Sequence, residues 1–116
     1  MKETYCLTVK DYEGRAVVFT EQQLALKAPR RPELREEGIL DRIKETVIRP
    51  GFVYTDFEHS GRLAYYLEEY RLNGRIRYMK VVLQPRSSDL FVVTAYRPDY
   101  VKERGKTKLI YGTDNE

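Results

Sequence analysis

The strongest constraint on the fold is the density of β-forming segments and turn signals in the second half of the chain. Between residues 52 and 97, four segments rich in Tyr, Val and Leu follow one another with only short turns between them. One of these turns contains Asn73-Gly74, the dipeptide that most strongly indicates a two-residue hairpin. Because short connections favour strands that are neighbours in space, this half predicts a four-stranded antiparallel sheet. Its strands are expected at 52–55, 63–70, 75–84 and 90–97.

The first fifty residues predict a hairpin followed by two helices. The hairpin spans 5–19 and turns at the Asp-Tyr-Glu-Gly segment 11–14. Thr20 has the position of an N-cap for a short helix over 21–26, and a second helix is expected over 32–48. Gly38 weakens this second helix and indicates a break or a close contact. Its apolar stripe at helical spacing consists of Ile39, Leu40, Ile43 and Val47.

Length and composition limit the chain to one domain. A chain of 116 residues holds a single core, so we expect one α+β domain over 1–116. In it, the N-terminal hairpin and helices pack on the four-stranded antiparallel sheet. A basic tail from about residue 98 is expected to be loosely ordered, with residues 109–111 able to add an edge strand. The scarcity of Asn, Gln, Met, Cys and Trp beside 34% charged residues favours a thermophilic source.

Several classes of protein and site are excluded by the composition. No apolar run approaches the roughly 20 residues that cross a bilayer, and no signal peptide is recognised. The single cysteine, Cys6, rules out an internal disulfide framework. One cysteine and one histidine also argue against a zinc site, so we expect no metal and no cofactor. These observations predict a cytoplasmic protein that does not bind a membrane.

The charge is mildly basic overall and unevenly distributed. The net charge is +3 and the sequence pI is about 9.0. Acidic residues gather in the segment 33–45, whereas the segment 71–86 has no acid. The basic residues of that segment are Arg71, Arg75, Arg77, Lys80 and Arg86. A cationic C-terminal half is typical of a protein that contacts RNA phosphates.

The segment 29–97 carries an ordered series of motifs. In chain order they are Arg30-Arg31-Pro32-Glu33-Leu34, Arg49-Pro50-Gly51-Phe52-Val53-Tyr54-Thr55-Asp56, Leu63-Ala64-Tyr65-Tyr66, Tyr78-Met79-Lys80-Val81-Val82-Leu83 and Phe91-Val92-Val93-Thr94-Ala95-Tyr96. With this series the chain resembles the small nuclease-like domains of the barnase–EndoU–colicin–RelE superfamily, particularly their phage-associated branch. The resemblance covers about 69 of 116 residues and is most specific in the closing Val-Val-Thr-Ala-Tyr. It implies metal-independent RNA cleavage by a toxin-like or phage-derived domain.

One position departs from the pattern of this superfamily. Its members commonly carry a histidine before the Pro-Glu pair, where this chain has Arg31. An arginine does not deprotonate at working pH and cannot act as a general base. The chain is therefore a ribonuclease that works without that histidine, or a non-catalytic relative that binds RNA or protein. A third alternative is a small interaction module whose tyrosine-rich sheet packs against another subunit, in a homodimer or with an antitoxin-like partner.

The requirements of RNA cleavage select the candidate site residues. Phosphate stabilisation needs fixed positive charge, and proton transfer needs a group with an exchangeable proton. The catalytic candidates are Lys80, Thr94, Tyr96 and Arg31, and the candidates for RNA binding are Arg77, Arg97, Tyr66 and Tyr78. Strand alternation directs Tyr78, Lys80, Thr94 and Tyr96 to the sheet face that the helices leave free.

Proton transfer is assigned to Lys80 rather than to His59. A mid-strand lysine beside Arg77 and several tyrosines is expected to have a lowered pKa. His59, by contrast, follows Glu58 in a predicted turn and is interpreted as a solvated loop residue. We therefore expect ribonuclease activity to be weak or absent, and any activity present to survive the loss of His59.

Overall fold

The structure, a computed structural model, describes residues 2–114, and these form seven strands, two α-helices and one 3₁₀ turn. In chain order the elements are β1 (Tyr5–Lys10), β2 (Ala16–Thr20), α1 (Glu21–Lys27), the 3₁₀ turn (Pro32–Arg35), α2 (Ile39–Ile48), β3 (Phe52–Thr55), β4 (Leu63–Leu72), β5 (Arg75–Pro85), β6 (Leu90–Tyr96) and β7 (Leu109–Gly112). Neither α-helix in this part of the chain has the length and apolar character needed to cross a membrane.

All seven strands belong to one mixed sheet with the order β1-β2-β6-β5-β4-β3-β7. Neighbouring strands are antiparallel except β2 and β6, which are parallel. The predicted four-stranded antiparallel sheet is therefore wrong, although its four strands exist and pair in the expected order. The N-terminal hairpin does not pack on the sheet but extends it. At the opposite edge, β7 pairs with β3, which confirms the expected edge strand at 109–111.

The extension follows from the composition of β6. This strand is strongly apolar, and in a four-stranded meander it would form an exposed edge with unpaired backbone groups. Pairing with β2, in the register Val17 to Leu90 and Val18 to Phe91, covers that edge. A hairpin can be predicted from residues close in sequence. No local pattern predicts a parallel contact between segments about seventy residues apart.

The turn between β4 and β5 confirms the signal of Asn73-Gly74. Both residues have positive φ angles, 53° and 78°, as a type I′ hairpin turn requires. Residues 32–48, in contrast, do not form one continuous helix. Gly38 adopts a left-handed conformation with φ of 78° and caps α2, so the predicted helix is divided at the glycine that indicated a break.

The main core lies between α2 and one face of the sheet. Ile39, Ile43 and Val47 of α2 are buried and pack on apolar side chains of the strands, whereas Leu40 is half-buried at the border. The strand residues of this core include Val17, Phe19, Met79, Val81, Leu83, Leu90, Val92 and Ala95. The expected helix stripe therefore faces the sheet.

A β-bulge corrects the predicted facing of β6. Strict alternation places Leu90 and Val92 on the face opposite Ala95, yet all three belong to the same core. The register shifts after the pair Val82 to Thr94, so that the next paired residue, Leu83, lies opposite Val92. The extra residue between these pairs re-aims the side chains beyond it, as bulges do.

The second face of the sheet is covered by the segment 98–108. This face carries a cluster of aromatic side chains, in which the rings of Phe52 and Tyr66 stack at 5.1 Å. Val101 packs into the cluster, and Glu103 is completely buried beneath it. The segment expected to be a loosely ordered basic tail therefore forms a second layer.

Replacing Ile43, the central core residue of α2, with Ala tests the packing of this helix on the sheet. Ile43→Ala should lower the free energy of unfolding by about 2–5 kcal/mol, because it removes buried methyl groups and leaves a cavity. The matched control is Ile110→Ala in the exposed edge strand β7, expected to change stability by no more than about 0.5 kcal/mol. Chemical denaturation measures both, and equal effects would contradict the assignment of the core.

Candidate functional site

A small cavity opens where the end of α1, the loop 56–62 and the strands β5 and β6 meet. It has a volume of about 130 Å³ and is half enclosed. We call it the basic cavity, because its lining holds four cationic side chains and one histidine against two carboxylates. Its residues are Lys27, Arg31, Asp56, Glu58, His59, Arg62, Lys80, Val82, Val93, Thr94 and Tyr96.

The basic cavity brings together the four residues predicted to be catalytic. Lys80 lies mid-strand in β5, Thr94 and Tyr96 lie on β6, and Arg31 precedes the 3₁₀ turn. The strands place the first three side by side, because Lys80 pairs with Tyr96 in the sheet register. Arg31 arrives from the other side and stacks its guanidinium 3.7 Å from the centre of the Tyr96 ring.

Beneath the cavity, Lys80 forms a buried ion pair with the segment that covers the second face. Its ammonium Nζ lies 2.9 Å from Oε2 of Glu103 and 3.6 Å from Oδ1 of Asp56. The hydroxyl of Tyr66 donates a 2.6 Å hydrogen bond to the other oxygen of Glu103. Both members of the Lys80–Glu103 pair have at most 3% of their side-chain surface exposed, so the charges are compensated inside the protein.

The surroundings of Lys80 do not support the proposed lowering of its pKa. Burial by itself lowers the pKa of this ammonium, but the neighbouring acidic groups outweigh burial and raise it above its ordinary value. The groups that raise it are Tyr96, Glu103 and Asp56. The predicted lowering of the Lys80 pKa is therefore wrong, and the ion pair with Glu103 favours the charged form of the lysine.

The loop 56–62 has a defined shape that places His59 on the cavity wall. Asp56 accepts hydrogen bonds at Oδ2 from the backbone N–H groups of Glu58 and His59, at 3.2 and 3.0 Å. The backbone N–H of Arg62 then donates to the carbonyl of His59 at 2.9 Å. An aspartate that bonds the backbone two and three residues onward pre-forms a turn. His59 is therefore an exposed side chain on an ordered loop.

The polar groups on the cavity wall divide into committed and available ones. Lys80 is committed to Glu103, and Glu58 pairs with Lys102 at 3.1 Å. Among residues 2–114, Lys27, Arg31 and Arg62 form no ion pair with a carboxylate. Arg62 is held by a 3.0 Å hydrogen bond from its Nε to Oε1 of Gln84, and Arg31 by its stacking on Tyr96. The hydroxyl of Thr94 is buried and has no hydrogen-bond partner within the same range of residues. A buried hydroxyl without a partner is uncommon and points to a ligand or to bound water.

The structure does not bring the four predicted RNA-binding residues to this cavity. Arg97 is paired with Glu69 at 2.5 Å and with Glu36 at 2.7 Å. Arg77 lies 3.6 Å from a carboxylate oxygen of Asp99. Tyr66 and Tyr78 are buried in the aromatic cluster of the second face, where no nucleobase can stack on them.

The acid-free basic segment 71–86 is likewise mostly engaged within the protein. Lys80 is buried, Arg75 donates to the backbone carbonyl of Asp99, and Arg86 pairs with Glu3 and Asp89. Of its five basic residues, Lys80, Arg77 and Arg86 are therefore paired with carboxylates, whereas Arg71 and Arg75 are exposed. The available cations of the basic cavity come instead from three separated positions in the sequence.

Sequence reasoning did not single out Lys27 and Arg62 of the cavity wall, and it set His59 aside as a solvated loop residue. His59 and Arg62 lie on a connecting loop and Lys27 is the last residue of α1, and none of these positions has a periodic pattern from which a side-chain direction can be read. One local signal existed for His59, since Asp56 three residues earlier favours a turn bonded to the backbone. Among the described residues, no group of three or more His, Cys, Asp or Glu side chains is arranged to hold a metal ion.

Compared with family models, with curated proteins and with solved structures, the chain matches none of them. The resemblance to the nuclease superfamily therefore rests on the sequence motifs and stays a prediction.

Replacing Lys80 with Met tests the buried ion pair. Lys80→Met should lower the free energy of unfolding at pH 7 by about 3–5 kcal/mol, because it leaves the Glu103 carboxylate buried without its cation. The matched control is Lys102→Met, whose partner Glu58 is exposed, with an expected loss of about 0–1 kcal/mol. Urea denaturation measures both variants, and a Lys80→Met loss no greater than that of the control would contradict this role.

The same pair should produce a defined pH dependence. Burial raises the pKa of Glu103, but the hydrogen bonds from Tyr66 and Lys80 outweigh it and hold this pKa below its ordinary value. The stability gained from the ionised carboxylate is therefore present above the pKa of the unfolded chain and lost as the pH falls through the folded value. We expect the stability difference between wild type and Lys80→Met to narrow from pH 7 to pH 3.

Proposed function

We propose that the basic cavity binds a phosphodiester of RNA and that the protein cleaves RNA there without a metal ion. The observation that carries this proposal is that three cations without an ion pair in residues 2–114 and a buried hydroxyl without a hydrogen-bond partner there converge on one small cavity. Fixed cations stabilise the charge of a phosphate, and a hydroxyl donor can bind one of its oxygens. The resemblance to ribonucleases supports the same reaction.

The proposed reaction is an internal transfer that needs no water and no cofactor. The ribose 2′-oxygen attacks phosphorus and loses its proton, a 2′,3′-cyclic phosphate forms, and the bond to the 5′-oxygen breaks. The leaving 5′-oxygen takes up a proton. Lys27, Arg31 and Arg62 are the groups that can stabilise the phosphate, and the Thr94 hydroxyl can donate to it.

Proton transfer in this proposal belongs to His59 rather than to Lys80. His59 is the single histidine of the chain and lies on the cavity wall. Imidazole is the side chain best suited to take and return protons at neutral pH, whereas Lys80 is held charged by Glu103. Tyr96, another residue predicted to be catalytic, also lines the cavity, and its phenolic hydroxyl is a further candidate proton donor. A cytoplasmic location, which the lone cysteine favours, is part of this proposal.

His59→Ala should lower RNA cleavage about 10²- to 10⁴-fold, the usual contribution of a positioned acid or base. The assay follows a labelled single-stranded RNA at neutral pH with and without a chelator, and detects the cyclic phosphate product. DNA of the same sequence serves as substrate control, because it lacks the attacking 2′-hydroxyl. Cleavage that survives His59→Ala, or that needs a divalent ion, would contradict the assignment, as would the absence of cleavage by the wild-type protein.

Binding is tested separately through two adjacent arginines. Arg31 lines the basic cavity, whereas Arg30 is exposed and lies outside it, so the pair Arg31→Ala and Arg30→Ala is closely matched. A lost phosphate contact should weaken RNA binding and lower the slope of log affinity against log salt by about one. We expect this for Arg31→Ala only. Equal behaviour of the two variants, or no binding at low salt, would favour the alternative of a protein-interaction module.

A further inference from the structure

The basic cavity is too small to enclose a whole nucleotide. Its volume of about 130 Å³ is well below the roughly 300–1,000 Å³ of pockets that enclose a drug-sized molecule. With the phosphate of the proposed function in this cavity, the attached base and ribose lie at its mouth. Any recognition of a base must come from side chains on the rim.

Phe57 is an exposed aromatic residue on the loop that forms one wall of the cavity, although its side chain does not line the cavity itself. It lies in the loop 56–62 between Asp56 and Glu58, both of which line the cavity. Although a phenylalanine side chain is wholly apolar, 47% of its surface is exposed. No sequence motif singled it out, and neither the core nor the aromatic cluster of the second face includes it.

The backbone of Phe57 is fixed beside the cavity by the buried ion pair. Its N–H donates a 3.0 Å hydrogen bond to Oε2 of Glu103, the same oxygen that contacts the Lys80 ammonium at 2.9 Å. One buried carboxylate atom therefore joins the loop residue to a lysine of the cavity wall. An aromatic ring on an anchored backbone stacks a ligand at a lower entropic cost than one on a free loop.

A cation accompanies the ring. The Lys106 ammonium lies 6.0 Å from the centre of the Phe57 ring. The backbone N–H of Lys106 donates a 2.9 Å hydrogen bond to the backbone carbonyl of Glu103. An exposed ring beside a cation is the arrangement with which proteins hold single-stranded nucleic acids, the ring stacking a base and the cation meeting a phosphate.

We propose that Phe57 stacks the base next to the phosphate held in the basic cavity, so that the ligand is single-stranded RNA. The bases of a duplex are already stacked and paired, and only an unpaired base can be splayed onto a protein ring. This inference rests on the proposed function, because it takes the cavity as the phosphate site. Stacking on a phenyl ring accepts every base, so little sequence preference is expected.

The test compares two single-stranded oligomers of equal length by fluorescence anisotropy. One carries bases on 2′-O-methyl riboses, which cannot be cleaved, and the other is an abasic phosphodiester. Phe57→Ala should weaken binding of the first oligomer about 5- to 150-fold, the affinity equivalent of one stacked base. It should leave binding of the abasic oligomer unchanged, and Phe57→Tyr should restore wild-type affinity.

The matched control is Tyr70→Ala. Tyr70 has the same exposed fraction of 47% but lies on β4, in a separate groove beside acidic residues. The Tyr70→Ala variant should bind both oligomers with wild-type affinity. Equal loss on both oligomers in Phe57→Ala, or no loss on either, would overturn the stacking role while leaving the phosphate site intact. Failure of the wild-type protein to bind the abasic oligomer at low salt would instead remove the phosphate site and this inference with it.

Discussion

The buried ion pair between Lys80 and Glu103 is the interaction on which the rest of the molecule depends. It joins the centre of the sheet to the segment 98–108, and the same carboxylate binds Tyr66 and the backbone of Phe57. Burying two charges away from water costs free energy unless the carboxylate oxygens and the ammonium protons have ionic or hydrogen-bond partners. Here the compensation comes from the second layer and the loop 56–62, so these elements are held in one arrangement.

Two kinds of positive charge meet at the proposed site: one is paired inside the protein, and the others have no carboxylate partner within residues 2–114. Lys80 lines the cavity but is committed to Glu103. The rim cations come from the end of α1, the 3₁₀ turn and the loop 56–62, and within residues 2–114 they form no ion pairs. Lys80, whose pKa is raised, is a charged structural part of the wall, whereas His59 is exposed on the loop 56–62. In the proposed function, proton transfer is therefore assigned to the loop and not to the strand.

Residues on the strands could be placed from sequence more successfully than residues elsewhere. The alternation of β5 and β6 predicted that Lys80, Thr94 and Tyr96 share a face, and the structure brings them to one cavity. The same rule failed for Leu90 and Val92, because a bulge adds one residue to β6 and changes the phase. The alternation rule could not predict the surroundings of Arg97, because its charge is neutralised by Glu36 and Glu69, which lie in distant segments of the chain.

What the sequence by itself determined is the local structure. The strand segments, the hairpin at Asn73-Gly74, the helix stripe and the break at Gly38 all depend on neighbours within a few residues. Only the tertiary structure decided that the hairpin joins the sheet through a parallel contact and that the last basic segment covers an aromatic face. It also decided which cations remain unpaired. These outcomes depend on contacts between segments far apart in the chain, whose energies do not appear in any local pattern of residues.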